Sequence, residues 1–595
     1  MPEMLQGAPL QDWSKPKSWR AEVDRSRRYA ESYETLWESN LNYYIGKSPD
    51  AADANATASN YVNINADFFV TELKVSQLFY DTPTLTLTSK GHFKPRKPAA
   101  QPPPEQQQQQ QQAPPPDPGP ITAAHRNLLN ELLGPSHANV LPTIQKAIKD
   151  CILTAGFGAT KIGYVPTMET IPTPPELMEV NPSPTIDRPI DEQWYWDRVP
   201  SKKFRIPTDF RESDFDKSPW LGMDFRMPLS EARKQFKLPA EFTGTNNRDE
   251  RVLETVENPK QDVSSVPYVD GTEIWYYAHI FDFEDPAALN PKLIRRHVLI
   301  DGVDEFVEKD PHSPFQELLP SGRLSADSMI GYPIHVLTIR DVPDSAFIPS
   351  DSAMMRPLVR ELCKFRTQQV QERDANLPRF LYDSGKLTPE TVERITQGTI
   401  GSMIPVAEDA LMAGKDSIMM QVTQGSQTRG SYSANDYIER DLQKTVGIDS
   451  AGAGVKDTGS VVSAAEIGVI DRQRSVRLDA ERRRALAWYL KGVEKFSALV
   501  ARFMTPQLAI PYIGEEQVQA WASWDKKQWD GRFVFGAKPD SQIKLDAAAE
   551  RKYALDLYQF LARDPNVNRI ALLKNLLEKA NIDPMDVIVE QLPEE

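Results

Sequence analysis

The side chains that most often carry out chemistry are sparse in this chain and lie far apart. It has seven histidines and two cysteines, but no H-E-x-x-H or C-x-x-C spacing that would suit a metal. It also lacks the G-x-S-x-G motif of a nucleophilic serine. Acidic pairs such as Asp282 and Glu284 are expected by chance among 84 acidic residues. The sequence therefore predicts no metal, no cofactor and no catalytic residue.

One glycine-rich stretch resembles a phosphate-binding loop at first sight. It contains Gly452, Gly454, Lys456 and Gly459, but the spacing is not G-x-x-x-x-G-K-[ST] and no strand closely precedes it. We therefore do not expect a nucleotide there. Glycine tolerates backbone conformations that other residues avoid, so this loop can change shape. Lys456 is its only cation, and it could either contact a phosphate or remain a solvated charge.

Long helices are predicted on both sides of this loop. Apolar residues at helical spacing run from Tyr432 to Val446, and Gly447 ends that helix. After the loop, Ser463 and Glu466 form an S-x-x-E capping box, which satisfies free N–H groups at a helix start. No proline follows until Pro506. About forty helical residues give a rod of roughly 60 Å.

The first half of this rod is unusually rich in charge, whereas its second half carries an apolar stripe. Three interpretations of the charged half remain open. The arginines could pair with acids of a neighbouring copy, line a channel, or form a solvated face with i,i+4 ion pairs. The basic residues concerned are Arg472, Arg474, Arg477, Arg482, Arg483 and Arg484.

Composition narrows the class of protein further. The formal net charge of −15 argues against a protein that grips nucleic acid through a general basic surface. It is compatible with a conduit that lets DNA pass, or with simple solubility. No apolar run reaches the length of a membrane span, and the first residues do not resemble a signal peptide. Cys151 and Cys363 lie in apolar helical stretches, so we expect buried thiols and synthesis in the cytosol.

The order of predicted elements indicates an α+β fold, mostly helical with antiparallel sheet. At 595 residues the chain should form several domains. Residues 1–345 read as an α+β body that is interrupted by a Pro/Gln-rich excursion at 90–120 and a proline-rich loop at 167–190. We expect the first excursion to be disordered, because its composition cannot bury a core. In residues 60–80, 230–236 and 351–374 we predict helices, the second of them capped by Ser230. We also predict a turn at Gly156-Phe157-Gly158 and a strand from Glu273 to Phe283.

From residue 340 to 504 the order of elements resembles the portal proteins of tailed bacteriophages. A helix that begins at Pro349-Ser350-Asp351 leads to a small α/β module, a second helix, the glycine-rich loop and the very long helix. Two earlier segments are also similar to that family. One is the helix that ends in the Leu78-x-x-x-x-Pro83 step, and the other is the helix-glycine-strand segment from Asp150 to Tyr164. The two proline-rich excursions depart from the family pattern.

The resemblance implies a role for each segment. The body 1–345 would be the wing, 346–378 and 429–448 the two stem helices, and 379–428 the clip. Residues 449–462 would be the tunnel loop, 463–505 the long wing helix, and 506–595 the crown and carboxyl-terminal helical region. Gly452, Gly454, Lys456 and Gly459 would then lie against DNA in the channel.

The resemblance also implies a function and a set of partners. The chain would form a homo-oligomeric ring, a dodecamer, at one capsid vertex of a virion made in the host cytoplasm. Double-stranded DNA would pass through it during packaging and ejection. Its partners would be the terminase large subunit, the head-tail adaptor, and the major capsid and scaffolding proteins, with no membrane. The alternatives are a phage-encoded nuclease or protease on a helical scaffold, or another head-tail structural protein.

Overall fold

The computed structural model describes most of the chain. The gaps leave out the first eleven residues, the segments 91–117, 245–266 and 448–463, and most residues after 537. The described ranges are 12–47, 62–90, 118–172, 185–236, 238–239, 241–244, 267–281, 290–310, 313–320, 322–325, 327–375, 379–382, 385, 387–397, 419–422, 429–447, 464–522, 532–537, 554–560, 573 and 576–577.

The described residues form an α+β fold, as predicted. The helices are α1 (Pro16–Tyr44), α2 (Ala66–Leu78), α3 (Pro118–Leu132), α4 (Val140–Lys149), α5 (Leu229–Gln235), α6 (Ala278–Phe281), α7 (Asp351–Ala375), α8 (Pro389–Gln397), α9 (Arg429–Val446), α10 (Ala464–Phe503) and α11 (Pro506–Ala522). A π-helical turn, Asp150–Thr154, continues α4. The 40-residue α10 and the α9 helix before it confirm the two long helices that the sequence predicted.

The strands form antiparallel pairs wherever their register is resolved. They are β1 (Leu85–Lys90), β2 (Phe157–Pro172), β3 (Thr185–Val199), β4 (Phe204–Arg205), β5 (Trp220–Pro228), β6 (Tyr268–Tyr277), β7 (Ile294–Ile300), β8 (Glu308–Asp310), β9 (Ile334–Thr338), β10 (Arg379–Tyr382), β11 (Met419–Val422) and β12 (Arg532–Ala537). The largest sheet has the order β4-β5-β6-β7-β8, and a second sheet has the order β3-β2-β9. Two further sheets have two strands each, β1-β12 and β10-β11.

The chain divides into two compact units. The first contains residues 1–78, 143–163 and 196–495, and the second contains 79–142, 164–195 and 496–595. In the first unit, α1 packs on the five-stranded sheet through Trp19, whose ring lies 4.9 Å from that of Tyr276. The helix α5 covers another part of this sheet with Leu229 and Phe236. Large aromatic side chains therefore exclude water from the centre of the sheet.

In the second unit, α3 and α11 pack together and β1 pairs with β12. The pairing sets Leu87 opposite Phe535. The buried His125 of α3 donates from Nε2 to the Ser497 hydroxyl at 2.7 Å, while its Nδ1 accepts the Trp521 indole N–H at 3.3 Å. The Phe533 ring stacks on the imidazole with centroids 5.2 Å apart. This polar group is therefore satisfied inside an aromatic core.

Several predicted boundaries were wrong for identifiable reasons. The helix predicted from Asn60 begins at Ala66, because the Asn65 side chain accepts the Phe68 N–H at 3.0 Å and so caps the helix there. The helix predicted to be capped by Ser230 begins at Leu229, after Pro228, and no side chain caps it. A strand predicted to reach Phe283 ends at Tyr277, where α6 begins.

Glycine is required where the strand β2 begins. Gly156 has a φ of +78°, and a Cβ atom there would lie 1.9 Å from the Ile348 carbonyl oxygen. No side chain fits at that distance, so the turn predicted at this residue needs glycine for both conformation and space. The main chain just before α7 can therefore approach the start of β2 directly.

Candidate functional site

The residues predicted to touch DNA cannot be placed. Gly452, Gly454, Lys456 and Gly459 lie between 448 and 463, outside the described residues. Their assignment to a tunnel loop stays a prediction. The described part of α10 begins directly after this segment, at Ala464.

Of the six arginines predicted to face a neighbour or a channel, three have described side chains. Arg472, Arg474 and Arg477 lie on the α10 backbone, but their side chains lie outside the description. Arg482 donates from Nε to the Gln77 carbonyl at 2.6 Å, and Arg484 donates to the Ile339 carbonyl at 2.8 Å. Both contacts lie within the chain, and no neighbouring copy is needed to explain them.

Arg483 behaves differently from these two residues. It is exposed, and its Nε lies 3.3 Å from the carbonyl of Asp479, one turn earlier on the same helix. Such a contact within one helix leaves most of the guanidinium donors turned to solvent. Among the described arginines of this run, Arg483 therefore fits the predicted outward-facing role best, and that role stays a prediction.

The segment of α10 that carries these arginines also joins a buried cluster of four charges, here called the charged junction. It consists of Lys74, Arg340, Asp351 and Glu481. The Lys74 ammonium lies 2.7 Å from Asp351 Oδ2 and 3.1 Å from Glu481 Oε2. Arg340 Nη1 lies 2.5 Å from Asp351 Oδ1. Lys74 is only 2% exposed, so its charge depends on these two carboxylates rather than on water.

The four residues of the charged junction come from separate parts of the chain. Lys74 lies on α2, Arg340 follows β9, Asp351 is the first residue of α7, and Glu481 lies within α10. Two cations face two carboxylates, so the group is formally neutral. A carboxylate at a helix start is also favoured by the helix dipole, which adds to the placement of Asp351. The junction thereby fixes the beginning of α7 against α2 and α10.

A polar stripe continues from the junction along α2. Asp67, Thr71 and Lys74 are spaced i, i+4 and i+7 and are all buried. Lys74 pairs with Asp351, the first residue of α7, and Asp67 lies near Ser352 and Arg356 of the same helix. Burial raises the pKa of the Asp67 carboxyl above its usual value, although Ser352 and Arg356 act in the opposite direction. The interface between these two helices is therefore polar along one side.

The other side of α2 is apolar and joins α7 to α9. Val70 of α2 packs with Met355, Val359 and Cys363 of α7, and Val446 of α9 completes the cluster. The helices α7 and α9 also contact each other. Between them in sequence lies the β10-β11 pair, with Arg379 opposite Val422. Two helices that are separated by a small module are thus brought side by side.

Sequence reasoning missed Lys74, Arg340 and Asp351 as a group. Nothing in the one-dimensional pattern shows that a lysine on α2 will meet a glutamate more than 400 positions later, at Glu481. One signal was present, because Asp67, Thr71 and Lys74 form a polar stripe at helical spacing in this helix. Such a stripe indicates buried polar partners once the helix is known to be inside.

The buried His335 of the first unit serves packing. His335 Nε2 donates to the Trp488 carbonyl at 2.7 Å, and the two rings stack with their centroids 5.1 Å apart. Burial, and then the nearby Lys495, lower the pKa of His335 to about 3. The imidazole is therefore neutral at physiological pH and holds α10 against β9.

The contact between His125 and Ser497 has the separation of a nucleophile and its base. The proton arrangement is wrong for that role, however. Trp521 donates to Nδ1, so the imidazole proton sits on Nε2 and points at the serine oxygen. A general base must instead accept the serine proton. Ser497 is also buried.

The described residues offer neither a metal site nor a membrane span. No group of three or more His, Cys, Asp or Glu side chains is placed there to hold a metal ion. No helix in this part of the chain is long and apolar enough to cross a membrane. Cys151 and Cys363 are buried, as predicted.

Neither the protein-family models nor the curated proteins contain a match to this chain.

Proposed function

We propose that this chain is the subunit of a portal ring through which double-stranded DNA enters and leaves a capsid. The order of elements from α7 to α10 carries the proposal. A 25-residue helix, a small module with an antiparallel strand pair, an 18-residue helix and a 40-residue helix follow one another. The helices α7 and α9 contact each other, and the module lies between them in sequence.

In this proposal α7 and α9 are the stem helices, residues 379–428 are the clip, and α10 is the long wing helix. The glycine-rich segment 449–462 connects the second stem helix to α10 and forms the tunnel loop. The charged junction supports these assignments physically, since it fixes the start of α7 and the middle of α10 to one body. A DNA channel of this kind needs a rigid framework that holds a flexible loop.

The net charge of −15 also favours a protein through which DNA passes over one that binds DNA tightly. A continuous basic track would bind phosphates and release counterions, and so would hold the DNA in place. In the proposal Lys456 makes an isolated phosphate contact, and the glycines around it let the loop follow the moving duplex. The ring, a dodecamer, would dock the terminase large subunit first and the head-tail adaptor later, and ATP hydrolysis would belong to the motor.

The substitution Lys456→Ala tests the role of the loop. We expect rings to assemble normally, while packaging or retention of DNA changes because a phosphate contact is lost. The matched control is Lys444→Ala, which removes an exposed lysine of α9 that pairs with Asp441 at 3.6 Å. The measurement is the amount of DNase-protected DNA per particle. If Lys456→Ala prevents ring assembly, or if both variants package and retain DNA like the parent chain, the loop assignment is wrong.

A phage-encoded hydrolase is the competing class of function. Among the described residues, the His125–Ser497 pair is the arrangement that comes nearest to it, and its proton geometry opposes catalysis. Nuclease and protease assays on the purified chain separate the two classes. Hydrolysis that survives His125→Gln would direct attention to the residues outside the described ranges.

A further inference from the structure

A small cavity lies beside the charged junction, in the first unit. Its volume is about 10 Å³. The apolar part of its wall includes Cys151 and Ile348, and the polar part is formed by Arg340, Asp351 and Glu481. A cavity of this size accommodates about one water molecule if polar partners are present.

The polar wall of this cavity contains a hydrogen-bond donor, Arg340 Nη2, that has no acceptor among the described residues. Arg340 Nη1 pairs with Asp351, but Nη2 is buried and makes no hydrogen bond to any described residue. The carboxylate oxygen Glu481 Oε1 lies 3.8 Å from Nη2. That separation is too long for a direct hydrogen bond. A buried guanidinium donor without a partner costs free energy, so the site favours an acceptor that can enter the cavity.

We propose that the charged junction binds one buried water molecule, which accepts a hydrogen bond from Arg340 Nη2 and donates one to Glu481 Oε1. A separation beyond 3.5 Å between a donor and an acceptor is where a bridging water is expected. Water fits better than an ion because the junction already balances two cations with two carboxylates. This inference does not depend on the proposed ring.

The bridging water completes the hydrogen bonding between the residue after β9 and the middle of α10. Lys74 already connects Glu481 with Asp351, and the water connects Glu481 with Arg340. All four charges then belong to one closed network. Buried polar networks of this kind hold their elements in a single arrangement only when every member is satisfied.

The direct test is an experimental map of the full chain at a resolution that shows ordered water. We expect one density peak within hydrogen-bonding distance of both Arg340 Nη2 and Glu481 Oε1, with neighbours consistent with water. A cavity without density overturns the proposal. So does a direct Arg340–Glu481 hydrogen bond that closes the gap, or a peak whose coordination identifies an ion.

A pair of substitutions tests the same proposal in solution. Cys151→Val fills part of the cavity and displaces the water. We expect it to lower the urea midpoint of the parent chain, and to lower it less in an Arg340→Met background, where no donor is left unsatisfied. The lost Cys151 contact to the Leu337 carbonyl is common to both backgrounds and cancels. An equal midpoint shift in the two backgrounds means a dry cavity. If Arg340→Met does not fold, the map decides.

Discussion

Lys74 is a charged residue that is almost completely shielded from water. Its ammonium is held by Asp351 and Glu481, and its side chain is 2% exposed. The interaction between such charges is strong only because both partners are fixed, and desolvation offsets much of it. The junction therefore contributes more through the arrangement that it enforces than through net stability.

Removing one member of the junction should be costly. We expect Lys74→Met to lower the free energy of unfolding by about 3–5 kcal/mol, because two buried carboxylates are left with one cation. The matched control is Lys15→Met, whose lysine pairs with Asp12 at 3.0 Å on the surface and should change the free energy by about 0–1 kcal/mol. Urea denaturation followed by tryptophan fluorescence measures both. Equal effects of the two substitutions would mean that the junction is not buried as described.

The buried imidazoles predict how stability depends on pH. Burial lowers the pKa of His335 to about 3, with Lys495 acting in the same direction and Asp216 against it. The folded state therefore binds fewer protons than the unfolded state between pH 3 and 6.5. The stability that His335 contributes is complete above pH 6.5 and is lost as the pH falls towards 3. His297 should behave alike, since burial also lowers its pKa to about 3.

The substitution His335→Gln isolates one of these groups. Glutamine keeps a donor for the Trp488 carbonyl but does not titrate. We expect the fall in unfolding free energy between pH 6.5 and 5 to become shallower by roughly 1 kcal/mol per pH unit. Denaturation midpoints at several pH values give this slope, whatever the absolute stability of the variant. A slope identical to that of the parent chain would show that His335 is hydrated and not buried.

Among the elements, α2 is contacted by two adjacent residues of α10, Glu481 and Arg482. The last carbonyls of a helix have no partner within it, and Arg482 supplies one to Gln77 in the last turn of α2. The guanidinium charge is also favoured at that end of the helix dipole. One turn earlier, Lys74 pairs with Glu481. Glu481 and Arg482, which are adjacent in α10, thus bind adjacent turns of α2.

Arg482 makes the contact with Gln77, whereas its neighbour Arg483 contacts only its own helix among the described residues. We expect Arg482→Ala to destabilise the chain by about 1–2 kcal/mol, because a charged hydrogen bond at a helix end is lost from a partly exposed site. Arg483→Ala is the control and should change the free energy by no more than about 0.5 kcal/mol. Hydrogen exchange of the amides in α2 adds a local measurement and should accelerate only in the Arg482 variant. Comparable acceleration in both variants would contradict the assignment.

The elements also show what a sequence can and cannot reveal. The length of α10 was predictable, because Ser463 and Glu466 mark its start and no proline intervenes before Pro506. The start of α2 was missed, since the capping role of Asn65 becomes visible only through its contact with Phe68. The charged junction could not be predicted, because its members come from four elements and burial of a charge is decided by tertiary packing.

At the scale of the whole molecule, the proposal makes a claim about assembly. A portal subunit acts only as part of a closed ring, and closure requires that each copy contact two neighbours through different surfaces. The arginines at 472, 474, 477, 482, 483 and 484 remain the predicted contributors to such a surface or to the channel. Arg482 and Arg484 also make the contacts within the chain described above.

The most direct test of the account is the mass of the purified full chain in solution, together with negative-stain electron microscopy of the same sample. The chain should be studied alone and co-expressed with the scaffolding protein of its own genome. The account predicts rings with a central hole and the mass of a dodecamer of 67.2 kDa subunits. Monomers of 67.2 kDa in both samples, at every concentration, would contradict it.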